Sequence, residues 1–249
     1  QRRERRDPAQ LPANRRRRGS AEEIALSTTQ DEVRESGLIE HLEQQAASFW
    51  DTVQGETQRG HRYNTGRVTG RDGYDEGLRL YSLVREQKPR VAVETGVCNG
   101  VSTAFLLLAL ERNGNGELHS VDLPEVAGEE YEAGTFWDGK GGAVIPPGKE
   151  PGWMVPAELR ARWHLVLGRS QDELPPLLDR VGEIDFFMHD SEHSYECMSF
   201  EFRAAWAALR EGGLLVADDV NVNTAWIEFA REVGREPEAL GPKLSMIVK

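Results

Sequence analysis

Apolar residues recur along this chain at two different periods. Over 31–53, Val33, Leu38, Leu42, Ala46, Phe49, Trp50 and Val53 fall mostly three or four apart, the spacing of one helix face. A second helical stretch covers 74–86, with Leu78, Tyr81, Leu83 and Val84 on its apolar side, and Lys88-Pro89 closes it. Beyond Arg90 the pattern changes. Short apolar or β-branched runs at 90–94, 117–121, 163–167, 184–188, 214–217 and 244–248 predict strands. Between them the spacing predicts helices at 102–110, 171–181, 194–209 and 224–233, and a short one at 156–162.

Strands that alternate with helices form right-handed βαβ units and a mostly parallel sheet. The expected fold class is therefore α/β, a doubly wound sheet with helices on both faces. Two stretches break the rhythm. Residues 54–73 are polar and hold five glycines, which predicts a loop. Residues 123–156 hold seven glycines and five prolines, which predicts a long insertion. The expected organisation is an arm over 1–30, a helical cap and loop over 31–72, and one domain over 73–249 that carries the insertion.

Charge sharpens the outer boundary. Of the 249 residues, the first 20 carry eight arginines against Glu4 and Asp7, a net +6, so a total of −12 leaves −18 for the rest. A like-charged run with Pro8, Pro12 and Gly19 predicts a solvated, disordered arm. An acidic body argues against broad nucleic-acid contact. No apolar run approaches the roughly 20 residues of a membrane-spanning helix, and the first 30 residues hold no secretory-signal core. The chain begins with Gln1 rather than Met, so a start further upstream is expected. Two cysteines, Cys98 and Cys197, are too few for a disulfide framework, which favours a reducing, cytoplasmic setting.

In a doubly wound sheet, ligands bind beyond the carboxyl ends of the strands. The first such turn reads Glu94-Thr95-Gly96-Val97-Cys98-Asn99-Gly100-Val101-Ser102. It is G-x-x-x-G, neither the dinucleotide G-x-G-x-x-G nor a P-loop. Gly96 and Gly100 permit a sharp turn and close approach of a ligand. Glu94 would suit an ammonium group better than a phosphate. The second strand runs into Asp122, where an acid commonly accepts ribose hydroxyls. After the third come Gly168-Arg169-Ser170-Gln171-Asp172. Ser170 there could cap the next helix with Glu173 in a capping box, or stand with Gln171 beside a base edge.

The fourth strand ends in His189-Asp190-Ser191-Glu192-His193 and the fifth in Ala217-Asp218-Asp219. If the two tips are neighbours, Asp190, Asp218 and Asp219 converge. Carboxylates so close repel unless a cation joins them, and an all-oxygen set suits Mg²⁺, Mn²⁺ or Ca²⁺. His193, three residues past Asp190, is placed to serve as a general base.

As a set, these residues resemble class I S-adenosylmethionine-dependent methyltransferases over about 73–233. The nearest likeness is to small-molecule O-methyltransferases of the macrocin type, with spacing shared by the catechol enzymes. The resemblance implies a Rossmann-like sheet and S-adenosyl-L-methionine as cofactor. It implies that Glu94, Gly96, Gly100 and Ser102 line the methionine end, Asp122 holds the ribose, and Ser170 and Gln171 face the adenine. It also implies that Asp190, Asp218 and Asp219 bind a metal such as magnesium, with His193, assisted by Asp190, as catalytic base. Asp219 departs from the catechol pattern, which has Asn there. The insertion, with Tyr131, Trp137, Trp153 and Met154, would close over the substrate. The expected partner is a small molecule with a hydroxyl acceptor; a homo-oligomer stays open. So do two other readings: a metal-dependent hydrolase or oxygenase-like enzyme on the same scaffold, and a non-catalytic binding module.

Overall fold

The computed structural model describes residues 29–57, 71–126, 129–138 and 144–249, without the side chains of 48–57, 71–73 and 144. The arginine-rich arm and most of the expected 54–73 loop lie outside the described residues.

The strands alternate two cores. Adjacent residues of one strand point to opposite faces, so Ala92, Phe186 and Leu214 join one apolar cluster while Val93, Phe187 and Leu215 join the other. A sheet buried on both faces needs continuous apolar strands, and Ile184–His189 is buried at all six positions. In chain order the strands are β1 (Val91–Thr95), β2 (Glu117–Asp122), β3 (Glu125–Val126), β4 (Val144–Ile145), β5 (Trp163–Leu167), β6 (Ile184–His189), β7 (Leu209–Ala217), β8 (Glu238–Ala239) and β9 (Ser245–Val248). The main sheet has the order β5-β2-β1-β6-β7-β9-β8. Its first five strands are parallel, and β9 runs antiparallel to both neighbours. β3 and β4 form a separate parallel pair inside the insertion, which its glycines and prolines do not announce.

The helices are α1 (Leu38–Thr57), α2 (Arg71–Gln87), α3 (Val101–Asn113), α4 (Ser170–Val181), α5 (Tyr195–Ala208) and α6 (Ala225–Glu232). The helix expected over 31–53 is two pieces: 29–35 is helical, Ser36 and Gly37 turn, and α1 follows. Gly37, at φ +74, makes that turn possible. α3 is buried all round from Thr103 to Leu110, as expected of a helix apolar on every side. α2 crosses it at Gly77, where a Cβ would lie 2.4 Å from the Phe105 ring. The helical piece at 29–35, α1, α2 and α3 cover one face with Val33, Leu42, Tyr81 and Phe105. α4, α5 and α6 cover the other with Leu177, Phe202 and Trp226.

The chain runs outward from β1 through β2 to β5, then returns to the other side of β1 with β6 and β7. The reversal between β1 and β6 opens a crevice at their carboxyl ends.

Candidate active site

The strand tips are fastened to one another. Asp190 N donates to Thr95 O at 2.8 Å, Asp218 N to His189 O at 2.9 Å, and Gly168 N to Asp122 O at 2.9 Å. The residues that follow β1, β2, β5, β6 and β7 are thereby held along one edge.

The turn after β1 is tight for an internal reason. Gly96 has φ +85, and a Cβ there would lie 2.0 Å from the Asp190 carbonyl oxygen. Gly100 has φ +90, and a Cβ there would lie 2.6 Å from Gly152 Cα. Both glycines thus give room to the protein's own backbone. Segment 152–155 of the insertion forms a strap over the turn: Gly152 N donates to Cys98 O at 2.8 Å, Met154 N to Asn99 O at 3.1 Å, and Trp153 Nε1 to Asn99 Oδ1 at 2.6 Å. His41 on α1 reaches the Met154 carbonyl at 2.9 Å. Met154, expected over the substrate, is fully buried in the core instead. Tyr131 and Phe136 both pack on Trp137, and the Arg169 guanidinium lies 5.2 Å from the Phe136 ring.

Glu94 and Ser102 are brought together. Ser102 Oγ donates to Glu94 Oε1 at 2.9 Å, while Thr103 and Ser120 donate to Oε2 at 2.8 and 2.9 Å. Burial dominates and raises the Glu94 carboxyl to about 7, with the Asp122 charge adding to it against the three hydroxyls. Asp122 is nearly as buried. Its Oδ1 accepts from Val97 N at 3.0 Å, whereas Oδ2 is buried without a hydrogen bond. Burial also raises its carboxyl, to about 6. An unsatisfied buried carboxylate oxygen is costly, and a ligand hydroxyl would satisfy it.

Ser170 is the first residue of α4; Arg169, not Ser170, is its N-cap, so the capping box is not formed. Its hydroxyl turns inward, 3.6 Å from Cys197 Sγ, while Gln171 beside it is half-buried. The serine faces a network with no local sequence signal, centred on Glu201 of α5. Thr95 and Ser191 donate to the Glu201 carboxylate at 2.5 and 2.6 Å, and His189 Nδ1 lies 2.6 Å from it. Burial by itself would raise the Glu201 carboxyl. The His189 charge and the hydrogen bonds from His189, Ser170 and Ser191 outweigh burial and hold it down at about 2.

The acidic cluster differs in membership from the expected one. Asp190, His193 and Asp218 bring one ligand atom each within 4.8 Å of one another. Asp219 is adjacent, but it has φ +48 and its Oδ1 is ion-paired with Lys243 Nζ at 2.7 Å. His193 Nε2 is buried and makes no hydrogen bond; Asp190 Oδ1 is 3.7 Å away. Its loop is tied down by Asn223, whose Nδ2 donates to the His193 carbonyl at 3.1 Å. Burial, and then His189, holds the His193 imidazole below its ordinary range despite Asp219, Asp218 and Glu201. The two carboxylates fit a divalent cation of oxygen preference, with the His193 imidazole beside it. Thiol chemistry has no place here: burial pushes the Cys98 thiol far up and the Cys197 thiol to about 12.

The profile of a family described as "Methyltransferase domain" matches residues 93–220, more than half of the chain, from β1 to just past the β7 tip. The chain belongs to the methyltransferase domain family. Among solved structures, this methyltransferase is similar to cofactor-bound Rv0187 from MTB, at 15% identity and TM-score 0.52 over 81% of this chain and 88% of that one. It is also similar to the SAH-bound methyltransferase PaMTH1 of Podospora anserina, at 15% identity and TM-score 0.51 over 96% of this chain and 98% of that one. At such identities the likeness is one of fold. Comparison with curated protein sequences returned no match. The resemblance to class I methyltransferases is thus met by both family and sheet order, and the methyltransferase keeps its acids and its glycine turn at the edge where that fold binds ligands. No helix among the described residues is long and apolar enough to cross a membrane.

Proposed function

We propose that the protein is an S-adenosylmethionine-dependent O-methyltransferase acting on a hydroxyl of a small molecule, with a divalent cation and a histidine base. The reading rests on one observation above all: the convergence of Asp190, His193 and Asp218 at the β6 and β7 tips, on the edge where Asp122 keeps an unsatisfied oxygen. The cofactor would supply an electrophilic methyl group, and the cation a positive charge that favours loss of a hydroxyl proton.

The chain's own residues do the rest. Asp122 Oδ2 receives the ribose hydroxyls. Glu94, with Ser102, Thr103 and Ser120 on its oxygens, forms the polar floor under the methionine end, beside the Gly96–Gly100 turn. Ser170 and Gln171 stand at the start of α4 on the adenine side. Asp190 and Asp218 hold the cation, and Asp219 stays beside them, neutralised by Lys243. His193 Nε2 takes the proton. An imidazole held below its ordinary pKa is neutral at pH 7 and ready to accept. Alignment of an oxygen on the methyl group supplies the remaining advantage. The support from relatives is that PaMTH1 is a methyltransferase with SAH bound.

The test is thermal melting with S-adenosylhomocysteine, followed by methyl transfer from labelled cofactor to a panel of phenols and sugars. Saturation at 100 Kd should add about 2.7 kcal/mol of stability; no shift in Tm would refute the cofactor. Excess EDTA should abolish transfer, and full activity in EDTA would refute the cation. His193→Ala should lower turnover by roughly 10²–10⁴ while sparing cation affinity. Unchanged turnover would remove the base, and lost cation affinity would make His193 a ligand instead.

A further inference from the structure

At the opposite end of the sheet from the candidate site, two imidazoles and a carboxylate share one spot. Glu117 and His119 lie on the same face of β2, two residues apart. His164 of β5 sits directly opposite His119 in the parallel register. The rings stack with centroids 4.7 Å apart and planes at 16°. Glu117 Oε2 lies 3.2 Å from His164 Nε2 and 3.9 Å from His119 Nε2. One ligand atom from each of the three falls within 4.8 Å of the others.

We propose that Glu117, His119 and His164 form a separate site for a transition-metal dication of the zinc, nickel or cobalt class, which clamps edge strand β5 to β2. The donor spacing supports it. Ligand bonds of about 2.0–2.2 Å in tetrahedral array put neighbouring donor atoms roughly 3.3–3.6 Å apart, which lies between the two distances to Glu117. The donor set supports it as well: two imidazoles with one carboxylate favour a borderline metal over Mg²⁺ or Ca²⁺. His119 has no other evident task. Its side chain is 12% exposed, and its Nδ1 is buried without a hydrogen bond, so the fold gains little from a polar ring there. His164 is about half-exposed, so its ring has room to adjust to a metal. Glu117 is exposed, so solvent reaches the site.

The consequence is structural rather than catalytic. β5 is the edge strand of the main sheet, and its far end carries the Gly168 turn and α4. A metal bridging β2 and β5 at their amino ends fastens that edge where the register begins.

The experiment is calorimetric titration of the metal-stripped 249-residue chain with Zn²⁺, carried out on Asp218→Asn so that the candidate cation site does not contribute. This variant should bind about one Zn²⁺ at micromolar Kd and melt at a higher temperature with Zn²⁺. Adding His164→Asn, or Glu117→Gln, should weaken binding at least tenfold and remove the rise in Tm. Both side chains are about half-exposed or more, so the metal-free Tm should hardly change. Co²⁺ should give a tetrahedral visible spectrum that His164→Asn abolishes. Zn²⁺ affinity unaffected by His164→Asn, or no Zn²⁺ bound by Asp218→Asn at all, would overturn the site. Neither result bears on the cofactor or the base proposed above.

Discussion

Glu201 Oε2 and His189 Nδ1 meet 2.6 Å apart with both side chains wholly buried. This pair props the β6 tip from beneath, one residue before Asp190. Removing one partner of a buried pair leaves an uncompensated polar group and typically costs about 3–5 kcal/mol. Glu201→Ala should show a loss of that size in urea unfolding. The pH dependence has a definite sign. A carboxyl held at about 2 in the fold, against an ordinary 4.5, contributes stability that is present above pH 4.5 and is lost as pH falls through 2. The acid limb of wild-type stability should be steeper over that window than that of Glu201→Ala.

Glu94 predicts the opposite slope. Its folded pKa of about 7 exceeds the ordinary 4.5, so its contribution is complete below pH 4.5 and disappears as pH rises through 7. The full swing is of the order of 3 kcal/mol. Glu94→Gln keeps the shape, and the three hydroxyls can reorient around an amide. Wild type should therefore lose more stability between pH 5 and pH 8 than Glu94→Gln does, as read by Tm at each pH.

Asp122→Asn removes the charge that faces the expected ribose. Hydrogen bonds to a charged group contribute about 1.5–3 kcal/mol. S-adenosylhomocysteine affinity should fall by roughly 10–100-fold, measured by calorimetry, with cation binding unchanged.

Gly96→Ala tests the contact with Asp190. Left-handed φ costs about 1–2 kcal/mol for an L-residue, and overpacking adds about 1–3 kcal/mol. The variant should be less stable by roughly 2–5 kcal/mol. It should also weaken cation binding, because the new methyl displaces the Asp190 backbone. A stability loss with unaltered cation affinity would show that Asp190 does not need this seat.

The sheet was readable because strands buried on both faces leave an apolar signature, and 184–188 needs only its own composition to be seen. Asp122, Asp190 and Asp218 were findable for a related reason: a strand assignment also locates its carboxyl end. What lies across space was not. Glu201 lies in α5 between Phe200 and Phe202, and an acid in a surface helix ordinarily faces water; only the packing of α5 on β6 puts it beneath His189. The partner of Asp219 is Lys243, 24 positions later in the loop before β9, and no periodicity links them. The glycines at 96 and 100 read as room for a ligand because the neighbour that fills each space, Asp190 or Gly152, is remote in sequence.

The strap at 152–155 sets how this enzyme tolerates change. It bonds to the backbone carbonyls of Cys98 and Asn99 in the turn after β1, and on the other side α1 grips it through His41. Among the described residues, the strap ties the excursion between β2 and β5 to that turn, while the β3–β4 pair joins the excursion only to itself. Changes of length upstream of the strap need not pull on the turn that carries Val97 and Cys98. The excursion and the turn can therefore change separately, as two parts of one chain joined by a fixed buckle.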